Sequence, residues 1–430
     1  LSLDGLAKRW SNIPNARVLG RVVDVVGLVI ESSGPSARIG DLCWVDCGDS
    51  RVPCEVVGFR SGRTLLMPLG DLEGVAPGAT VESSGACLRV PVGDNLLGRA
   101  IDALGNPMDG RPLDVQDTYP ILAAPPNPLE RTMIKEPLAT GVRAIDGMLT
   151  LGVGQRMGIF AGSGVGKSTL LGMIARNCKA DVNVIALIGE RGREVREFLE
   201  NDLGPDGLAR SVVVCATSDQ PALVRIKAAL TATAIAEAFR DEGKSVLLMM
   251  DSVTRFCMAQ REVGLAVGEP PSSKGYTPSV FAMLPRLMER AGTGKKGAIT
   301  ALYTVLVEGD DTNEPVADAT RGILDGHILL SRKLTSRGHY PPIDVMNSLS
   351  RTMPFVVSKE HLESARSARE TIASYRDIED LISIGAYKPG TQPASDAAIA
   401  KMPGLDGFLR QDKADPTGYD DAVAGLLRAV

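Results

Sequence analysis

RMGIFAGSGVGKSTLLGMIARN, residues 156–177, decides the fold. It opens with a short apolar run suited to a buried strand, closes with a run of helix-forming residues, and carries a glycine-rich loop between them. A strand ending at Phe160, a tight loop and a helix from Lys167 bring successive backbone N–H groups together at a helix N-terminus, where a phosphate binds. Gly162, Gly164 and Gly166 permit that convergence, Lys167 reaches the terminal phosphates, and Ser168 offers a hydroxyl to Mg²⁺. The loop from Ala161 to Ser168 fits GxxxxGK[ST] except for alanine at the first place. Ser163 and Val165 fill the variable places, and Thr169 follows.

Working outward, the next apolar run, VNVIALI, ends at once in GERGRE, residues 189–194. That spacing delivers Glu190 from the C-terminal end of a parallel strand into the ligand crevice, as a base for water or as a surface salt bridge with Arg191 or Arg193. SVLLMMD ends on Asp251, either a carboxylate that orders the water around magnesium or a cap for the following helix. From about Thr140 the rhythm of strand, loop and helix repeats, with nearly continuous apolar strands. This is an α/β pattern, a mostly parallel sheet covered on both faces. PALVRIKAALTATAIAEAFRDEG predicts a long helix with Leu223, Ile226, Leu230 and Ala234 on one face, and AITALYTVLVE and HILLSRKL extend the sheet.

The flanks differ. From Arg17 to about Val92 short β-branched runs alternate with glycine turns, which predicts a small β-barrel. Residues 90–110 lead into YPILAAPPNPLERTMIKEP, a proline-rich connector that is neither a continuous helix nor a central strand. Beyond Arg351, SKEHLESARSARETIASYRDIEDLISIGA and PGLDGFLRQ predict helices.

Composition narrows the function. A chain of 430 residues with net charge −5 has room for two to four domains and no global attraction for nucleic acid or an anionic membrane. The seven cysteines form no CxxC pair, and the three histidines, His327, His339 and His361, stand at no metal-ligand spacing with them. Reduced core thiols are expected rather than a disulfide framework or a zinc ribbon. No apolar run is long enough to span a bilayer, and LSLDGLAKRW has no signal-peptide core, so a soluble cytoplasmic protein is expected.

AGSGVGKS, GERGREVREF, MMDSVTRF, GEPPSSKGYTPSVFAMLPRLMERAG, YTVLVEGDDTNEPVADATRGILDGHI and HYPPIDVMNSLSR, in this order, resemble the ATPases of type III protein export. These are relatives of the catalytic β subunit of rotary ATP synthases, and the similarity runs through essentially the whole chain. DSVTRFCMAQREVGLAVGEPP and DLISIGAYKPG are most similar to the flagellar branch. The resemblance implies an N-terminal β-barrel over 1–93, a RecA-like P-loop ATPase domain with the proline-rich connector over 94–350, and a C-terminal helical domain over 351–430. It implies a homohexamer hydrolysing ATP with Mg²⁺ between neighbouring subunits. Lys167, Ser168 or Thr169, Glu190 and Asp251 match the phosphate, magnesium, base and Walker B positions.

Arg351 matches the arginine that one subunit inserts into the next one's site, although the residues alone favour a surface salt bridge. Tyr340 matches a tyrosine that packs on adenine, core packing beside Pro341 and Pro342 being the other reading. Arg191 and Arg255 match motif arginines. The implied partners are export-gate and stalk proteins, a regulatory or stator protein and chaperone–cargo complexes. The implied location is the cytoplasmic face of the export apparatus at the inner membrane, with no transmembrane segment and no nucleic acid. The implied work is chaperone release and cargo unfolding. Competing functions are a virulence (injectisome) secretion ATPase, a rotary ATP synthase catalytic subunit and a hexameric RNA helicase. An RNA-reading barrel needs stacking aromatics among basic residues, and residues 17–92 contain only Trp44 and Phe59.

Overall fold

The computed structural model describes residues 18–114, 117–307 and 314–430. LSLDGLAKRW, the Arg17 start of the barrel assignment and the motif segment EGDDTN, 308–313, lie outside the described residues. The chain forms two compact units, one reaching to Leu88 and taking in Leu265–Glu269, the other comprising Arg89–Gly264 and Pro270–Val430.

The first unit is a closed barrel of six strands. Around it the order is Gly20–Val26, Val29–Ser32, Arg63–Pro68, Arg51–Arg60, Asp41–Asp46 and Thr80–Cys87, which closes onto the first through Gly20 and Val81. Period-two alternation turns Cys43 and Val45 inward from one strand and Val52, Cys54 and Val56 from its neighbour, where they meet Ile30, Leu66 and Val81. Closure leaves no unpaired sheet edge. All seven cysteines of the chain are free thiols, and Cys43 pairs across the strands with Cys54 in the barrel core.

The second unit is built on a nine-stranded sheet. Its order runs Leu349–Ser350, Gly326–Leu329, Arg156–Ala161, Ala298–Leu306, Ser245–Asp251, Val182–Ile188, Ser211–Ala216 and Arg99–Asp102, with Gly292–Thr293 pairing beside Ala298–Leu306. Every pairing is parallel except the two made by Leu349–Ser350 and Gly292–Thr293. The central strands are buried along almost their whole length, Ser245 alone among Val182–Ile188, Ser211–Ala216 and Ser245–Asp251 being half-buried, as their apolar sequences require. Arg99–Asp102 was expected to lead into the connector; it is an edge strand, because its backbone pairs with Val212–Cys215.

The predicted long helix spans Ala222–Asp241. Leu223, Ile226, Leu230 and Ala234 are buried, and so are Lys227, Glu237 and Arg240, so this helix is covered on more than one face. The C-terminal region is helical: Lys359–Arg376, Glu379–Ser383, Pro393–Leu409 and Tyr419–Ala429. The third of these begins ten residues before the segment PGLDGFLRQ, expected to be helical from Pro403, and carries Pro403 within it. Its apolar face, Ala398, Leu405, Phe408 and Leu409, holds it through the proline by packing.

Candidate active site

The loop between Arg156–Ala161 and the helix Lys167–Asn177 lies where the sheet strands end. Gly164 and Gly166 take φ of 75° and 98°, and a Cβ on either would meet no protein atom within 4 Å. Glycine is needed there for the left-handed backbone, and the space before the loop stays open for a ligand. Ala161 is buried at the strand end, where its methyl fits, so alanine in the first place of the pattern leaves the loop intact. Gly162 is buried, Ser163 is exposed, and Val165 is buried under the loop. Ser168 is exposed and Thr169 half-buried at the helix start.

Three residues far apart in sequence meet beside this helix. Lys167 Nζ contacts Asp251 Oδ1 and lies 3.6 Å from Glu190 Oε1. The parallel register carries both carboxylates there, since Leu187 lies opposite Asp251 and Glu190 follows two residues after the strand end at Ile188. Asp251 is 3 % exposed. Burial pushes the Glu190 carboxyl above its ordinary value; Lys167 opposes the shift, and Asp251 and Glu194 add to it. Burial acts to lower the Lys167 ammonium, but the two carboxylates win and raise it. Lys167 is therefore a cation with two anionic neighbours, suited to polyphosphate.

A cavity of about 20 Å³ lies among Ser168, Glu190, Glu194 and Asp251. It has room for one solvent-sized occupant, and beside the apolar Leu187, Val195 and Phe198 its lining offers a hydroxyl and carboxylates, a donor set that fits Mg²⁺ keeping most of its water. Among the described residues no group of three or more His, Cys, Asp and Glu is arranged to hold a metal. A magnesium ion shared with substrate phosphates needs only one carboxylate and a hydroxyl from the protein.

On the other side of the helix start, a cleft of about 520 Å³ is lined by Gly166, Thr169, Tyr340, Pro342, Arg410 and Gln411, among others. Tyr340 is half exposed, presenting its ring to the cleft rather than to the core. Residues 410–413 line it as well, which the sequence reading missed because nothing local marks them. Gln411 is fixed there: its Oε1 accepts from Arg143 N at 2.8 Å, its Nε2 donates to Gly141 O at 2.8 Å, and its backbone N donates to Tyr340 O at 2.9 Å.

The structure does not gather every predicted residue. The Arg191 side chain is 77 % exposed and pairs with Glu194 at 3.4 Å. Arg255 packs its side-chain carbons under Gly189, next to Glu190, and its buried Nε has no partner among the described residues. Arg351 is exposed just after the edge strand Leu349–Ser350; its backbone N donates to Asp325 O, and its side chain makes no ion pair among the described residues.

A glycine-rich loop capping a strand, a half-buried lysine on two carboxylates and a parallel sheet of this order define a P-loop nucleotide hydrolase. Comparison narrows the class. Residues 141–350 match the nucleotide-binding domain of the ATP synthase alpha/beta family, residues 22–85 its beta-barrel domain, and residues 357–428 the C-terminal domain of the type III secretion ATPase EscN. The chain is 56 % identical over 412 residues to the flagellum-specific ATP synthase of Bacillus subtilis, covering 95 % of this chain and 94 % of that one. It is 50 % identical over 428 residues to the type 3 secretion system ATPase of Xanthomonas euvesicatoria, covering 99 % and 97 %. The solved assembled EscN of enteropathogenic Escherichia coli, in complex with its central stalk EscO, matches with TM-score 0.89 at 47 % identity over 95 % of this chain and 99 % of that chain. The chain belongs to the ATP synthase alpha/beta family, in its type III protein export branch, and is an ATPase that uses ATP and Mg²⁺. Among the described residues no helix is long and apolar enough to cross a membrane.

Proposed function

We propose that this chain assembles into a homohexameric ring at the cytoplasmic face of a flagellar export gate. There its hydrolysis of ATP drives chaperone release, cargo unfolding and entry of flagellar subunits. The flagellar reading is supported by the 56 % identity to the Bacillus protein, although flagellar and secretion relatives overlap at 49–50 %. A stalk partner is favoured because EscN was solved on its central stalk. The three-part division at residues 93 and 350 is supported by the separate family matches over residues 22–85, 141–350 and 357–428.

The observation that carries the chemistry is Glu190 held 3.6 Å from Lys167 at the mouth of the loop. Backbone N–H groups of residues 162–169 cradle the phosphates, Lys167 neutralises the terminal ones, and Tyr340 covers the base. Asp251 and Ser168 would hold Mg²⁺, which would supply positive charge to offset that of the phosphate oxygens. Glu190, ionised, accepts a hydrogen bond from the attacking water and aims it at the terminal phosphorus, with Arg255 packed under Gly189 beside it and Arg191 turned outward onto Glu194. Arg351 completes the site of the neighbouring subunit. Its support is that it is exposed and unpaired between Leu349, 47 % exposed, and Phe355, 76 % exposed, a face suited to burial by a second copy.

The test is Glu190→Gln in a cell lacking its own flagellar export ATPase. The variant is expected to bind MgATP and to assemble, to turn over roughly 10²–10⁴-fold more slowly, and to leave flagellar subunits unexported. Turnover at the wild-type rate would remove Glu190 from its role; export restored by the unaltered chain only in a virulence system would move the chain to the other branch.

A further inference from the structure

The strand Ala298–Leu306 runs between the loop strand and the strand that ends on Asp251. Its outer half reads LYTVL, and within it Thr304 is fully buried. A hydroxyl in such a strand must find a partner, and this one does. Met250 pairs with Tyr303, so Asp251 comes to lie beside Thr304. The Thr304 Oγ1 donates to Asp251 Oδ1 at 2.8 Å; Met250 O is farther, at 3.2 Å. On its other side Asp251 faces Leu187, which offers nothing polar.

We propose that Thr304 is a positioning residue for Mg²⁺ binding, fixing the Asp251 carboxylate in the orientation that orders the ion. The proposal rests on the reading of Asp251 as the Walker B carboxylate. The same oxygen, Oδ1, receives both Lys167 Nζ and the Thr304 hydroxyl. Lys167 has a second call on it, the nucleotide phosphates. The alternative acceptor for the Thr304 hydroxyl is Met250 O, farther off at 3.2 Å, and its strand is locked in register on both sides with the side chain enclosed. When the lysine turns to phosphate, the hydroxyl still pins one oxygen of Asp251, which lines the cavity shared with Ser168 and Glu190. Outer partners of this kind tune metal affinity by orienting the ligand.

The measurement is binding of N-methylanthraniloyl-ADP to the full chain, in EDTA and across a Mg²⁺ titration. Thr304→Val is expected to raise the Mg²⁺ concentration needed for half-maximal tightening by roughly 10- to 100-fold while leaving the affinity in EDTA unchanged. Thr304→Ala, which puts no methyl against the carboxylate, is read the same way, and Thr304→Ser is expected to restore the wild-type titration. A wild-type Mg²⁺ response in both the Val and Ala proteins overturns the proposal. So does an equal loss of affinity in EDTA, or a Ser protein no better than Val. Asp251→Asn separates the two layers. If it shifts the Mg²⁺ response and the Thr304 variants do not, only the positioning role falls; if it leaves the response untouched, the Walker B reading falls and takes this proposal with it.

Discussion

At the scale of the residue, Glu190 carries the most information. Its carboxyl is raised by burial against Leu187, Val195 and Phe198 around the small cavity, and by the negative charges of Asp251 and Glu194, with Lys167 pulling the other way. A base must be ionised to take a proton, so the group works only above its own pKa. The kcat/KM profile for ATP is therefore expected to lose rate as pH falls through a value above the ordinary glutamate range, about 4.3. The Glu190→Gln protein should lose that acid limb along with most of its rate. Steady-state ATPase measurements from pH 5 to 8, on both proteins, check this; an identical limb in the Gln protein assigns it to another group.

At the scale of the element, charge buried between helices and loops sets the stability. Arg290, 3 % exposed, follows the helix Pro278–Met288 and makes two bonds to Glu237 of the long helix, at 2.9 and 2.6 Å, and one to Ile121 O of the connector at 2.8 Å. Its removal leaves Glu237 as a buried, uncompensated charge. Arg290→Ala is expected to cost about 3–5 kcal/mol, and the double variant Arg290→Met with Glu237→Leu much less. Urea titration of the three proteins decides between them, a cost below 1 kcal/mol for the single variant going against the account.

Asp146 poses a second element-scale case. Its carboxylate accepts from Thr140 N, Thr140 Oγ1 and Gly141 N and so fastens the helix Arg143–Met148 to the turn before it. Burial outweighs those donors and raises its carboxyl to about 6, above the 3.8 of a free aspartate. The folded pKa is the higher one, so this group's stabilisation is complete below the unfolded value and is lost as pH rises through about 6. Asp146→Asn cannot ionise. The melting temperature of the Asn protein relative to wild type is thus expected to improve between pH 4 and 7, and a constant difference would contradict the assignment.

At the scale of the whole molecule, the role proposed for Arg351 lies outside its own chain. Exposed and unpaired, the side chain contributes little to folding, so Arg351→Ala is expected to keep the wild-type unfolding free energy to within the roughly ±0.5 kcal/mol usual for surface changes. An arginine supplied to a neighbour's phosphate is worth roughly 10³–10⁵ in rate. Turnover should therefore rise with protein concentration in the wild type and stay low in the variant at every concentration. Mixing Arg351→Ala with Glu190→Gln should restore part of the activity, because some interfaces then pair an intact base with an intact arginine; no recovery in mixed, assembled particles would place the arginine elsewhere.

The sequence by itself determined the loop from Ala161 to Ser168, the barrel, the parallel sheet with its helices, and Glu190 and Asp251 as carboxylates at strand ends. Each of these is written in local periodicity, in glycine spacing or in the last residue of an apolar run. Only the tertiary structure decided that Thr304 stands against Asp251, that Gln411 and its neighbours wall the cleft beside Tyr340, and that Arg99–Asp102 joins the sheet. The reason is physical. Threonine in a strand, glutamine after a helix and four residues near a turn look alike in any sequence until pairing and burial name their neighbours, and those neighbours lie 53 residues away for Thr304 and 270 for Gln411.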